Sequence, residues 1–160
     1  MNKVLAFLGA HGIKYTLHQH QAVFTTEEAK VHTGDIPGLA CKNILLRNRK
    51  KSRYFLLVLP ADKVINIKLF GAVVGEKSLS FASREALMEK LGLTPGAVSP
   101  FGLINDLSHA VEVFLDENVF EAQVVTFHPN VNTATLELEK QMFHQYLDVL
   151  EQKITVLTFE

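Results

Sequence analysis

Apolar positions along the chain switch repeatedly between a helical period and two-residue alternation, and most switches fall at a glycine, a proline or a capping residue. Val4, Leu5, Phe7 and Leu8 share one side of a helix predicted over residues 2–11, which Gly12 stops. Residues 15–20 alternate as a strand. Thr25-Thr26-Glu27-Glu28 forms a capping box, in which the Thr25 hydroxyl meets the amide three residues on and Glu28 reaches back. A helix is therefore predicted over 26–32, ending near Gly34. Strands at 43–47 and 54–59 form a hairpin about a polar turn. A helix at 63–74 leads to a short strand at 79–81, and Ser83 caps a helix at 84–91 that Gly92 terminates. Residues 94–106, broken by Pro95, Gly96, Pro100 and Gly102, read as a long loop, and a loop of that length in a compact domain is usually functional. Strands at 111–115, 124–127 and 133–138, a helix at 140–150 and a strand at 154–159 complete the chain. Strands and helices are interspersed without a strict βαβ rhythm. The pattern therefore predicts an α/β (mixed α+β) fold, with one mixed sheet and its helices in a single domain over 1–160.

Composition narrows the class. With 48% hydrophobic residues in 160, the chain can build a sizeable core. No apolar run approaches the roughly 20 residues a bilayer requires. The first ten residues superficially suggest a signal peptide, but the apolar segment is short and Gly12 reads as a helix stop. A cytoplasmic location is expected. The lone Cys41 excludes an internal disulfide and fits a reducing compartment. A net charge of −1 makes the molecule no general magnet for nucleic acid, and neither DNA nor a membrane is an expected partner. Arg47, Arg49, Lys50, Lys51 and Arg53 nonetheless cluster without an intervening acid. They read either as a solvated hairpin turn or as a contact for nucleic-acid phosphates.

Side chains with chemistry concentrate in the corner between the strands at 124–127 and 133–138. His128, Asn130, Asn132, Thr133 and Thr135 bring one imidazole, two carboxamides and two hydroxyls to a corner whose turn does not need the His and Asn side chains, although Asx-type turn stabilisation would also use the asparagines. Lys42, beside Asn43, stands at the entrance of an apolar strand. It reads as a surface lysine or as an ammonium facing a phosphate or a developing oxyanion. Ser99 lacks a nucleophile elbow and a base–acid pair, so it is expected to hydrogen-bond substrate or loop backbone, not to attack. His18 and His20 share a strand face. With His128 and a single cysteine they make a poor ligand set, and no metal is expected.

Phe127-His128-Pro129, followed by Asn132-Thr133-Ala134-Thr135, resembles a signature of the YbaK/prolyl-tRNA synthetase-associated editing family. Three further segments agree in the same order: Ala22 to Ala29, Cys41 to Leu46, and Gly96 to Gly102. The chain departs from the family at Gln21, where proline is usual after the second His. The resemblance implies a mixed, partly barrel-like sheet flanked by helices. It also implies hydrolysis of alanine misattached to proline tRNA, as in the freestanding deacylases of the family. Lys42 and His128 inherit catalytic assignments, and the loop carrying Gly96, Ser99, Pro100, Phe101 and Gly102 would cradle the aminoacyl group. Phe24, Thr25, Asn43, Asn130, Asn132 and Thr133 would line the substrate site. The partners implied are the acceptor end of mischarged proline tRNA and prolyl-tRNA synthetase, with the terminal ribose hydroxyl assisting chemistry and no cofactor. The alternatives are a deacylase for cysteine-, serine- or threonine-loaded tRNA, a non-catalytic tRNA- or synthetase-binding module, and a small-ligand hydrolase.

Overall fold

A computed structural model describes residues 1–23, 25 and 34–159; the predicted helix at 26–32, Phe24 and most of the capping box lie outside the described residues. One eight-stranded mixed sheet organises the rest. Its strands are β1 (Thr16–Gln19), β2 (Leu39–Asn48), β3 (Tyr54–Pro60), β4 (Leu79–Phe81), β5 (Val111–Asp116), β6 (Val124–Phe127), β7 (Ala134–Glu139) and β8 (Ile154–Leu157). Seven run in the order β1-β7-β6-β2-β3-β5-β8, and β4 pairs separately with β2. The β2–β3 hairpin and the β1–β7–β6 group are antiparallel, whereas β2–β6, β3–β5 and β5–β8 are parallel.

β3 explains how the faces are filled. Its sequence Tyr54-Phe55-Leu56-Leu57-Val58-Leu59 is continuously apolar and buried throughout, as expected of a strand covered on both sides. Leu56 and Val58 face the larger core, built with Val4 and Leu8 of α1 (Asn2–Ala10), Leu87 and Leu91 of α3 (Arg84–Leu91), and Phe143 and Tyr146 of α5 (Lys140–Val149). Phe55, Leu57 and Leu59 face a smaller core with Leu46, Phe114, Phe159 and Phe70 of α2 (Ile67–Val74).

The structure departs from the sequence reading in several places: β2 begins at Leu39 and β8 ends at Leu157, and three further differences have local causes. α2 begins at Ile67, because the Asn66 side chain caps it by accepting from Leu69 N at 3.0 Å. A short helix, α4 (Glu117–Glu121), follows β5, capped by Asp116, which accepts from Asn118 N at 2.8 Å. The expected loop at 94–106 contains a buried 3-10 helix over Pro100–Asn105. Ser99 accepts from Phe101 N at 2.9 Å to start it, and Phe101 packs edge-on against Phe127 and Tyr146. A Cβ on Gly102 would lie 2.6 Å from Leu93 and 3.1 Å from Leu91, so this glycine serves close packing.

Candidate functional site

β2 carries a gap in the sheet. Its ladder to β6 ends at Ala40↔Thr126, and its ladder to β4 begins at Leu46↔Phe81. Between them, among the described residues, β2 has a strand neighbour only on the β3 side. Ala40 O accepts from Ala61 N at 2.9 Å, so the backbones of residues 40, 42 and 44 turn towards β3 and that of Asn43 turns into the gap. Side chains alternate independently of this. Lys42 lies on the Ile44–Leu46 face, and Asn43 on the Cys41–Leu45 face. Gly38 makes the approach of β2 to β6 possible: with φ of +111°, it sits where a Cβ would come within 2.7 Å of Val124.

A cavity of about 540 Å³ opens at this gap, within the size range of small-ligand sites. Lys42, Asn43, Gly96, His128 and Thr25 reach it from four different parts of the chain, joined by Thr126 and Thr135. Val23, Ile36, Leu39, Cys41 and Val98 supply apolar wall, and Pro60, Ala61 and Asp62 close the side beyond β3. Gly96, with φ of +88°, turns the 94–99 segment towards β2, where Val98 O accepts from Asn43 Nδ2 at 3.2 Å.

Hydrogen bonds fix the chemical face that each group presents. His128 Nδ1 lies 2.9 Å from Ala134 O; a carbonyl only accepts, so Nδ1 carries the proton and Nε2 of the neutral ring is an acceptor. Burial lowers the His128 pKa; the Ala134 carbonyl opposes that shift and His20, 6.1 Å away between ring centroids, adds to it. The ring is thus neutral at physiological pH. Lys42 makes no hydrogen bond or ion pair with any described residue, so its three N–H donors are uncommitted. The Cys41 thiol is pushed up to about 12 by burial, with the Thr126 backbone amide opposing and Asp116 reinforcing. The thiol is therefore held protonated at neutral pH, which removes Cys41 as a nucleophile.

Other residues expected at the site stand elsewhere. Ser99, Pro100, Phe101 and Gly102 are buried in and around the 3-10 helix, and none lines the cavity. Asn130, Asn132 and Thr133 also lie outside its lining. Asn130 takes a left-handed turn conformation (φ +61°), while the carbonyls of Asn132 and Thr133 accept from Val23 N and His20 N. The corner thereby pins the segment leading to Val23 and Thr25. Arg53 is no free phosphate contact: it grips Glu112 through Nε and Nη2 at 2.9 and 2.8 Å, and Nη1 binds Glu76 and Val74 O. Arg49, Lys50 and Lys51 are exposed in the turn, with Arg47 half-buried beside them. Six residues of strand separate Lys42 from Asn48, where β2 ends and the basic turn begins, roughly 20 Å. Thr126 escaped the sequence reading, and Thr135 entered it within the polar corner and the family signature without a site role, although strand alternation from His128 and the β6–β7 register point to both.

The aminoacyl-tRNA editing domain family matches residues 20–145. Prolyl-tRNA editing protein ProX of Acetoanaerobium sticklandii is 40% identical over 135 residues, covering 84% of this chain and 82% of its own. Mouse prolyl-tRNA synthetase associated domain-containing protein 1 is 32% identical over 157 residues, covering 96% of this chain and 92% of its own. A crystal structure described as a proposed trans-editing enzyme for prolyl tRNA synthetase superposes with a TM-score of 0.72 at 18% identity, over 99% of this chain and 96% of its own, a likeness of fold. No helix among the described residues is long and apolar enough to cross a membrane.

Proposed function

We propose, from the premise that the chain belongs to the aminoacyl-tRNA editing domain family, that it acts in trans to hydrolyse alanine misattached to proline tRNA. Its similarity to a prolyl-tRNA editing protein supports the choice of tRNA. The observation that carries the chemistry is one cavity holding an uncommitted ammonium, Lys42, and a neutral imidazole with a bare Nε2, His128. A synthetase pocket shaped for proline excludes a smaller apolar amino acid by only about 1–3 kcal/mol, so a second site that admits the smaller product restores accuracy.

In the proposed reaction the Nε2 of His128 accepts a hydrogen bond from water and aims its oxygen at the ester carbonyl carbon. The C–O bond to the terminal ribose breaks, the proton released by the water passes to the leaving ribose oxygen, and free alanine departs. Lys42 faces the carbonyl oxygen or the terminal phosphate, where negative charge develops or resides. Gly96 lets the 94–99 backbone approach the aminoacyl group closely. Prolyl-tRNA synthetase, the source of the mischarged tRNA, is a natural docking partner in the cytoplasm. The chemistry calls for no metal or organic cofactor.

Single-turnover hydrolysis of proline tRNA charged separately with alanine, cysteine, serine and proline tests this reading. Alanine should be released fast and proline spared. Release of cysteine alone would keep the deacylase and change its substrate, whereas release of nothing would favour a binding module. The pH profile is a second check. Because the His128 pKa is lowered, the base form survives below the ordinary value of about 6.5, and the rate should fall only as pH drops through the lower pKa. His128→Gln should abolish that acid limb. A wild-type midpoint above about 6.5, or the same limb in His128→Gln, would remove His128 as the base.

A further inference from the structure

The donors and acceptors around the cavity are strongly unequal. On the wall formed by β6 and β7, the described polar side chains have already given their hydrogens to the protein, whereas Lys42 keeps its donors on β2. Asn43 donates through Nδ2 to Val98 O at 3.2 Å, so its Oδ1 has only acceptor capacity, and that atom has no partner. Thr126 Oγ1 donates to Leu39 O at 3.4 Å. Thr135 Oγ1 lies 2.8 Å from His20 Nε2, while His20 Nδ1 lies 2.7 Å from Gln21 O and must donate there. In the tautomer that donates from Nδ1 to Gln21 O, Nε2 accepts and Thr135 gives it the hydroxyl hydrogen. His128 Nε2 is likewise an acceptor. Thr126, His128 and Thr135 share one face of the β6–β7 pair, with residue 135 opposite 128 in continuation of the Phe127↔Leu136 register. Lys42 apart, the matching donor must come from the ligand.

We infer that the Thr126–Thr135 wall binds the protonated α-amine of the aminoacyl ester, so that the enzyme requires a free amine and rejects N-acylated and α-hydroxyacyl esters. The inference rests on the deacylase reading and deepens it. An aminoacyl ester carries one group with several N–H donors and a positive charge next to the scissile carbonyl. An acceptor-only wall solvates that group, whereas an N-acyl amide offers one neutral donor and a hydroxyl one hydrogen. With His128 engaged by water, Lys42 at the carbonyl or phosphate and Asn43 on the opposite, Cys41–Leu45 face of β2, Thr126 and Thr135 are the acceptors left for the ammonium on the β6–β7 wall. Lys42 disfavours the reverse placement, since two cations would face each other. Thr126 and Thr135 are specificity-determining residues in this arrangement, and His20 is a positioning residue that fixes the Thr135 hydroxyl.

The test compares alanyl, N-acetylalanyl and lactyl esters of the same proline tRNA under single-turnover conditions, each rate divided by its uncatalysed rate. Wild type should accelerate the alanyl ester at least about tenfold more than either analogue, the yield of one hydrogen bond to a charged group. In Thr135→Val that preference should fall below about threefold, and Thr135→Ser should restore it. Thr126→Val provides the same comparison if Thr135→Val does not fold. Equal acceleration of all three esters by wild type would overturn the inference alone, as would a Thr135→Val variant that slows all three by one factor. Cleavage of none of them would overturn the deacylase reading and the inference with it.

Discussion

Asp116→Ala should be among the most destabilising single substitutions outside the apolar core, and its effect should reach the cavity. The Asp116 carboxylate has no solvent exposure, while its partner Lys63 retains 23%, and the two meet at 2.8 Å. The same carboxylate caps α4 through Asn118 N and accepts from Phe159 N at 3.3 Å, joining the end of β5 to the last residues of the smaller core. Removing one partner of such a buried pair costs about 3–5 kcal/mol, because the groups it satisfied are left without an acceptor. At roughly 2–4 °C per kcal/mol for a chain of this size, thermal unfolding should shift down by about 10 °C. Asp116→Asn should lose less, since a carboxamide oxygen still caps Asn118 while Lys63 loses its countercharge. Lys63 also closes the turn after β3, its amide donating to Pro60 O at 3.0 Å, and Pro60, Ala61 and Asp62 line the cavity. Loss of the pair should therefore weaken substrate binding as well as stability. A melting shift of less than about 2 °C in Asp116→Ala would show that water replaces the pair without penalty.

That pair also marks the limit of what the sequence alone conveyed. Elements defined by local pattern were readable: the β2–β3 hairpin from its apolar run and basic turn, α3 from Ser83 and Gly92, and the β6–β7 corner from Pro129-Asn130. Partners distant in sequence were not. Lys63 and Asp116 are 53 residues apart, and nothing near either announces the other. Arg53 belonged by position to a run of exposed bases, yet Glu112, 59 residues on, and Glu76 draw it into an ion-pair network over the Phe55 ring. The 3-10 helix at Pro100–Asn105 hid behind proline and glycine, which signal a loop wherever tertiary packing is unknown.

The site shows the same division. Lys42, Asn43, Gly96 and His128 stood out by residue type and by resemblance to a family, and all four line one cavity. Thr126 is unremarkable in sequence, and Thr135 stood out only within the family signature. They matter because β6 joins β2 in parallel for only two residues and then separates, a long-range pairing that leaves a gap beside Asn43. Asn130, Asn132 and Thr133 show the converse. Their side chains suggested recognition, but the fold uses their turn geometry and main-chain carbonyls to hold the segment ending at Val23.

Lys42→Ala should lower the single-turnover rate of alanine release at least about tenfold, equivalent to about 1.4 kcal/mol of transition-state stabilisation. The expectation comes from placement. A lysine in mid-strand would ordinarily extend its ammonium into water or pair with a carboxylate. Lys42 instead lines the cavity at the gap in β2, with no described group bound to its ammonium. A charge held without a partner beside a partly apolar wall is available to an anion that arrives with the substrate or forms during reaction. These two roles separate experimentally. If Lys42 stabilises the developing oxyanion, Lys42→Ala lowers the rate at saturating enzyme and leaves half-saturation nearly unchanged. If it anchors the terminal phosphate, half-saturation rises, its salt dependence becomes shallower, and the saturated rate is retained. Lys42→Arg should preserve the phosphate role better than the oxyanion role, because the guanidinium fork suits phosphate but places its donors differently from an ammonium. A folded Lys42→Ala protein with wild-type rate and half-saturation would exclude both roles and leave the attack to His128 and the 94–99 backbone.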